Sequence, residues 1–149
     1  MILRVLIQRV LSASVRLIKE GKVKQEASID KGLLLFVGIG ENDSRDIADF
    51  LVKKISNLRI FENKGKFDLS LVDIRGEVLA VPQFTLYGNT EKGRRPEFSE
   101  AERPERAKIM FDFFCGKLGD LFSCKKGFFG EKMEVELVND GPVTLMVEK

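Results

Sequence analysis

The apolar positions at the start of the chain follow the patterns of β-strands. Residues 2–10 form a run rich in β-branched side chains, and residues 33–37 are continuously apolar, as is typical of a buried strand. Between them, residues 15–18 and 23–27 flank Glu20-Gly21, where the glycine suits a hairpin turn. The pattern therefore predicts four strands before the first helix.

Two later segments carry apolar residues at helical spacing. Asp43 or Ser44 is placed to cap the first helix, and Pro104 suits the first turn of the second. The apolar positions are Ile47, Phe50, Leu51, Ile55 and Leu58 in the first helix, and Ala107, Met110, Phe114 and Leu118, widened by Ile109 and Phe113, in the second. One apolar stripe on each helix predicts that both helices cover one side of a sheet.

The remaining segments add three strands to the prediction. Residues 63–66 have the composition of a turn, residues 77–84 form an apolar strand, and residues 87–101 form a polar loop. Residues 133–137 alternate apolar and acidic side chains, and residues 143–147 complete the pattern as a last strand. About seven strands with two separately inserted helices indicate the α+β class, with both helices on one side of stacked sheets.

The composition is that of a globular chain, with 44% hydrophobic and 32% charged residues. Since the 149 residues contain no linker or internal repeat, we expect residues 1–149 to form a single domain. The net charge is only +2, so a nucleic-acid partner would have to be held by a local basic patch.

The chain contains no histidine. Histidine is the usual general base near neutral pH, so a Ser-His-Asp or Cys-His hydrolase in its ordinary form is excluded. A zinc site would have to be built from carboxylates and from Cys115 and Cys124, and we expect neither a metal nor another cofactor. The two cysteines form no CxxC pair, which favours a reducing compartment. Because Arg4, Gln8 and Arg9 interrupt the apolar N-terminal run and no stretch is long enough to span a bilayer, we expect a cytoplasmic protein without a membrane partner.

Two polar segments next to strands are candidates for chemistry. Gln83 and Thr85 lie where an apolar strand opens into a loop, a place that commonly presents catalytic groups, although simple termination of the strand is the alternative. Asn139-Asp140-Gly141-Pro142 lies between two predicted strands, and locally it favours a hairpin turn. A cis Gly-Pro bond at this position would place backbone oxygens rigidly and could recognise a ligand without any side chain.

A third candidate segment is the basic part of the polar loop. Lys92, Arg94 and Arg95 could contact phosphates, and Phe98 could stack on a base. The alternative is a solvated loop, since exposed charge is common on protein surfaces.

In combination, these segments resemble the D-aminoacyl-tRNA deacylase family of the bacterial and eukaryotic type over nearly the whole chain. The stretches that carry the resemblance are Gln8-Arg9-Val10, Ala13-Ser14-Val15, Leu58-Arg59-Ile60-Phe61, Gln83-Phe84-Thr85-Leu86, Lys92-Gly93 with Arg95-Pro96 and Phe98, and Leu137-Val138-Asn139-Asp140-Gly141-Pro142-Val143-Thr144. The family has two signatures, Ser-Gln-Phe-Thr-Leu and Asn-x-Gly-Pro-Val-Thr. The second is intact here, whereas Pro82 replaces the serine of the first and removes both its hydroxyl and its backbone N–H.

The resemblance implies a homodimer with its active sites at the interface, built in three layers as a β/β/α sandwich. It implies that the Gly141-Pro142 bond is cis and that this motif enters the partner's pocket. There its carbonyls would face the substrate's α-amino group, so that a D-residue or glycine is admitted and an L side chain is excluded. Arg9 would brace this motif, and Phe129 and Met133 would line the pocket, where Glu131 replaces a small residue.

The implied reaction is hydrolysis of the ester that joins a D-amino acid to the terminal adenosine of tRNA. Thr85 as a nucleophile would need an activating base, and a histidine-free chain offers no obvious one. In the other mechanism the 2′-hydroxyl of the tRNA assists, Gln83 and the backbone N–H of Phe84 stabilise the oxyanion, and Thr85 positions the substrate. The missing imidazole favours the RNA-assisted mechanism. The basic loop would then contact the phosphates of the tRNA.

Two other classes of function stay open at this point. One is a non-catalytic nucleic-acid-binding module on the same fold. The other is a metal-dependent D-aminoacyl-tRNA deacylase of a different fold, against which the absence of histidine argues.

Overall fold

The computed structural model describes residues 3–149, which contain eight strands, three α-helices and one short 3-10 helix. The strands are β1 (Arg4–Lys19), β2 (Lys22–Ile29), β3 (Gly32–Gly38), β4 (Phe61–Asn63), β5 (Lys66–Leu69), β6 (Glu77–Pro82), β7 (Cys124–Lys126) and β8 (Met133–Glu148). The helices are α1 (Arg45–Asn57), α2 (Leu71–Ile74) and α3 (Pro104–Gly119), and the 3-10 helix is Phe84–Tyr87.

Strand β1 organises the main sheet, whose order is β2-β1-β3-β6-β7, with β8 also paired to β1. The β3-β6 and β6-β7 pairs are parallel, and the β1 pairs are antiparallel. The first half of β1 pairs with β3, and its second half pairs with β2. Between the halves, the register with β8 shifts around Val10. Such an irregularity lets one strand pass from one sheet layer into another.

Alternating side chains along β3 separate two hydrophobic cores. Leu33 and Leu35 belong to the core shared with α1 and α3, whereas Leu34 belongs to a second core on the opposite face. The second core is completed by the second half of β1, including Val15, and by Ile29 of β2. The layers are therefore the helices, a central sheet around β3, and a second sheet formed by the second half of β1, β2 and the start of β8. This confirms the expected α+β, β/β/α arrangement.

The predicted strand boundaries were wrong at both ends of the chain. The strands expected at residues 2–10 and 15–18 are one strand, β1, although residue 2 lies outside the described residues. The strands expected at 133–137 and 143–147 are likewise one strand, β8. β1 pairs with both halves of β8, so the turn-like residues between them form a local irregularity instead of a hairpin. β4, β5 and β7 were not predicted because each has at most four residues.

Helices α1 and α3 lie where the periodicity placed them, whereas the four-residue α2 was not predicted, and two predicted core positions were wrong. Phe50 is 46% exposed and Ile109 is 62% exposed, whereas Val52 and Phe111 are buried instead. The exposed Phe50 ring makes a cation–π contact with the ammonium group of Lys149, which lies 4.7 Å from the ring centroid. The helix faces are therefore rotated slightly from the predicted stripes.

Local capping and turn chemistry fix several boundaries. Ser44 caps α1 by accepting a hydrogen bond from the Ile47 N–H, while Asp43 accepts one from the Gly40 N–H at 2.7 Å. Glu20 and Gly21 both have positive φ, which matches the mirror-image turn that two-residue hairpins prefer. The strand predicted at 77–84 ends earlier, at Pro82, because the chain enters the 3-10 helix.

An acidic side chain joins α3 to β7. Asp112 accepts hydrogen bonds from Lys108 at 2.6 Å and from Lys126 at 3.1 Å. Burial alone would raise the pKa of Asp112, but the two lysine hydrogen bonds outweigh it and hold the pKa below its usual value. Within residues 3–149, no helix has both the length and the apolar character needed to cross a membrane.

Candidate active site

A cleft of about 690 Å³ opens where β6 ends. Its lining includes Pro82, Gln83 and Phe84 at the end of β6, and Phe129 and Met133 around the start of β8. The start of α3 and Phe98 of the polar loop complete the lining, which is largely apolar. A concave, mostly apolar space with a few polar groups is the usual form of a ligand site.

The end of β6 presents the first signature to this cleft. The Gln83 N–H donates to the Val37 carbonyl at 2.8 Å, which extends the β3-β6 pairing by one residue. Phe84 is 60% exposed, and its ring meets the Phe98 ring edge-on at a centroid distance of 5.2 Å. The two rings therefore form an accessible aromatic surface at the mouth of the cleft.

Thr85 is exposed and does not line the cleft. Its hydroxyl oxygen accepts a hydrogen bond from the side-chain amide of Gln83. An amide N–H donor cannot remove the hydroxyl proton, so this contact does not activate Thr85 as a nucleophile. Burial raises the pKa of nearby Tyr87 above its usual value.

Two contacts that the sequence did not reveal support this region. Arg4 donates to the Leu86 carbonyl at 3.1 Å and places its guanidinium 4.6 Å from the centroid of the Tyr87 ring. Glu102, which lines the cleft, accepts the Asn42 N–H at 3.3 Å. Both residues lie far along the chain from the groups that they hold, so no local pattern could have identified them.

The lining also contains the other two expected pocket residues, Phe129 and Met133. Phe129 packs against Phe111 of α3 at a centroid distance of 6.1 Å, and the sulfur of Met133 accepts the Phe128 N–H at 3.2 Å. Glu131 also lines the cleft, and its carboxylate lies 3.5 Å from the ammonium of Lys19. The structure therefore brings Phe129 and Met133 together with Gln83 and Phe84.

The Gly141-Pro142 peptide bond is cis, and neither residue lines the cleft of its own chain. Both residues are exposed. Gly141 has φ of 140°, and a Cβ at this position would lie 2.8 Å from a methyl group of Val143. Only glycine fits this backbone without strain.

Arg9 is 3% exposed and connects this motif to the β4-β5 hairpin. Its guanidinium donates to the Asp140 carbonyl at 2.9 Å and to the Ile60 carbonyl at 2.8 Å. Glu62 lies 3.5 Å from the same group. The charged donor therefore fixes the backbone directly before Gly141.

The predicted basic residues Lys92, Arg94 and Arg95 are exposed, and none of them lines the cleft. None forms an ion pair within the described part of the chain. Hydrogen bonds between the backbones of Asn89 and Glu97 close the base of their loop. Among residues 3–149, no group of three or more potential ligand side chains could hold a metal ion.

Comparison with known proteins identifies the family. Residues 6–148 match the family described as D-Tyr-tRNA(Tyr) deacylase. A D-aminoacyl-tRNA deacylase from Thermosipho melanesiensis is 48% identical over 98% of this chain and 97% of its own length. Another from Koribacter versatilis is 46% identical, also over 98% of this chain and 97% of its own length.

Two solved structures share the fold. A c-Myc DNA Unwinding Element Binding Protein superposes with a TM-score of 0.88 at 35% identity and 98% coverage of both chains. A probable eukaryotic D-amino acid tRNA deacylase superposes with a TM-score of 0.84 at 19% identity, with full coverage of both chains. The sequence match over residues 6–148 and the close relatives agree with the architecture, and the chain belongs to the D-Tyr-tRNA(Tyr) deacylase family.

Proposed function

We propose that residues 1–149 form one deacylase domain that hydrolyses the ester bond of D-aminoacyl-tRNA in the cytoplasm. The observation that carries the proposal is the cleft, which joins Gln83 and Phe84 of one family signature to Phe129 and Met133. Relatives named D-aminoacyl-tRNA deacylase, at 46% to 48% identity over nearly the whole chain, support the same activity.

Chiral selection in this proposal needs a second copy of the chain. Gly141 and Pro142 are exposed and lie outside the cleft of their own chain, so they are free to enter the cleft of a partner. In the homodimer, their carbonyls accept hydrogen bonds from the substrate's α-ammonium group. The space then admits a D-residue or glycine, including glycine mischarged on tRNA(Ala), and excludes an L side chain.

In the proposed chemistry, water attacks the ester carbonyl, and the bond to the 3′-oxygen of the terminal adenosine breaks. The free carboxylate and the tRNA 3′-hydroxyl are the products. Gln83 and the Phe84 N–H stabilise the developing oxyanion, while the tRNA 2′-hydroxyl assists the attack. Thr85 acts as a positioning residue, in keeping with its contact to the Gln83 amide.

The tRNA body contacts the basic loop in this proposal. Lys92, Arg94 and Arg95 are exposed and have no carboxylate partner within residues 3–149, so their charge is available to phosphates. Reversing the charge of all three should raise KM for charged tRNA and leave kcat nearly unchanged. An unchanged KM would remove the loop from the tRNA interface.

The deciding experiment compares deacylation of D-Tyr-tRNA with that of L-Tyr-tRNA, with and without a chelator. We expect turnover of the D-substrate alone, insensitivity to the chelator, and loss of activity when the terminal 2′-hydroxyl is removed. Thr85→Ala should keep measurable activity. A folded but inactive Thr85→Ala would favour threonine as the nucleophile, and equal turnover of both substrates would refute chiral selection.

A second candidate function is nucleic-acid binding without catalysis. The similarity to a protein named c-Myc DNA Unwinding Element Binding Protein, at 35% identity, supports this second function. Absence of D-Tyr-tRNA turnover, together with binding of single-stranded nucleic acid that weakens with salt, would support this alternative.

A further inference from the structure

The segment that carries the Gly-Pro bond leaves the ladder between β1 and β8. Asn139 pairs with Val10, and Thr144 pairs with Gln8, so the four residues 140–143 have no partner in the register. Gly141 and Pro142 are exposed, but Val143 is buried, so its backbone groups have to be held by other contacts, because unpaired backbone groups that are buried are costly. Arg9 holds only the near side, through the Asp140 carbonyl.

The Asn139 side chain holds the far side of this segment. Its amide oxygen accepts the Val143 N–H at 2.8 Å, and its amide nitrogen donates to the Val143 carbonyl at 3.2 Å. The same nitrogen lies 3.1 Å from the Thr144 hydroxyl and 3.4 Å from the side-chain oxygen of Gln8. One side chain therefore bonds to both backbone groups of Val143 and also to the ladder on which the segment rests.

The side chains of Arg9 and Asn139 hold the segment on either side of the cis bond. Arg9 fixes the carbonyl of the residue before Gly141, and Asn139 fixes both backbone groups of the residue after Pro142. With both ends fixed, the carbonyls of Gly141 and Pro142 have a defined direction. Without Asn139, only the Arg9 side would be held.

We propose that Asn139 is a positioning residue that sets the direction of the Gly141 and Pro142 carbonyls and thereby the exclusion of L-aminoacyl substrates. This inference rests on the proposed function, in which these carbonyls face the substrate's α-ammonium. Selection by exclusion depends on small distances, and a displacement of about 1 Å can change a rate by about 100-fold. Loss of Asn139 therefore reduces discrimination between D- and L-substrates more than it reduces hydrolysis of the D-substrate.

The test compares Asn139→Ala and Asn139→Asp with the wild-type protein, using kcat/KM for D-Tyr-tRNA and L-Tyr-tRNA. Asn57 provides a matched control, because its side-chain amide also donates to a backbone carbonyl, that of Lys53. It lies on α1 and does not line the cleft. Asn139→Ala should lower the D-to-L ratio by at least about tenfold, as expected for a misplaced recognition group. Asn139→Asp keeps the acceptor for the Val143 N–H and should lower the ratio less. Asn57→Ala should leave it unchanged.

A second measurement does not depend on activity. Hydrogen exchange of the Val143 amide should be at least about tenfold faster in Asn139→Ala and close to wild type in Asn139→Asp, since opening a protected amide raises its exchange rate. An unchanged D-to-L ratio in both Asn139 variants would overturn the proposal, as would an unchanged rate of Val143 exchange. Absence of D-selective turnover by the wild type would refute the proposed function instead, and the exchange measurement would still decide whether Asn139 holds the segment.

Discussion

Replacement of Arg9 by methionine should strongly destabilise the protein. Arg9 is 3% exposed, and its guanidinium donates to two backbone carbonyls, those of Asp140 and Ile60, at 2.9 and 2.8 Å. Methionine has a similar length and fills the same space, but it offers no donor. The substitution therefore keeps much of the packing and removes the hydrogen bonds, together with the longer ion pairs to Glu62 and Asp140, both at 3.5 Å.

The magnitude follows from the two lost bonds. A hydrogen bond from a charged donor contributes about 1.5–3 kcal/mol, so the loss of two corresponds to about 3–6 kcal/mol. Removal of the cost of burying a guanidinium offsets part of this, which favours the lower end of the range, about 3 kcal/mol. For a chain of this size, about 1 kcal/mol shifts Tm by about 2–4 °C, so we expect a decrease of about 6–12 °C.

The assay is thermal unfolding at one fixed protein concentration, because association of subunits would make Tm depend on concentration. Arg16→Met is the matched control, since the Arg16 side chain is 24% exposed and pairs with Glu134 and Glu136 on the surface. Exposed ion pairs contribute about 1 kcal/mol or less. A decrease in Tm below about 3 °C for Arg9→Met, or an equal decrease for Arg16→Met, would refute this reasoning, given the size scaling of Tm.

Three further predictions concern the framework. In Gly32→Ala, the new Cβ would lie 1.9 Å from the Glu77 carbonyl oxygen on the neighbouring strand, so β3 and β6 must separate; we expect a loss of about 3 kcal/mol in urea unfolding, and a wild-type midpoint would contradict it. Ser44→Ala removes the cap of α1 and should cost about 1 kcal/mol in the same assay, whereas Ser44→Gly should cost only a few tenths; equal losses would argue against capping. Asp112→Asn should lower the free energy of unfolding at neutral pH by about 1 kcal/mol or less after screening by solvent, with a correspondingly small decrease in Tm. Because the pKa of the Asp112 carboxyl is lowered by folding, its contribution is present above its ordinary pKa and is lost as the pH falls through the lowered value; a Tm difference that persisted at acidic pH would contradict this assignment.

Local patterns were sufficient to locate α1, α3 and most of the central sheet. The continuous apolar run at 33–37 is a buried strand because both of its faces meet a core, as the positions of Leu34 and Leu35 show. Ser44 and Pro104 mark helix starts because capping depends on the first turn alone. Such features are encoded within a few residues and can be read without a tertiary structure.

The long strands could not be predicted in the same way. Residues 139–142 have turn composition, and only the pairing of the residues on either side of 140–143 with β1 shows that β8 continues along the same strand. Pairing between distant segments depends on tertiary packing, which overrides local propensity. The same limit explains why Phe50, although it lies in the predicted stripe, is exposed.

The candidate site was predicted in part. Gln83, Phe84, Phe129 and Met133 were expected from the family resemblance, and the structure places all four at one cleft. The bracing contacts of Asn139 were not expected. They depend on the exact position of one side-chain amide next to Gln8 and Val143, which no spacing in the sequence specifies.

Strand β8 has a consequence for how the protein is made. It supplies Met133 and Val135 to the cleft and carries the Gly141-Pro142 bond further along the same strand. Its support comes from β1, and the contact between Arg9 and Asp140 spans 131 positions, so it forms only after the intervening chain has been synthesised. A nascent chain that lacks β8 has neither a complete cleft nor the cis Gly141-Pro142 motif. The cleft and the motif proposed to select the substrate are therefore completed at the same stage of synthesis.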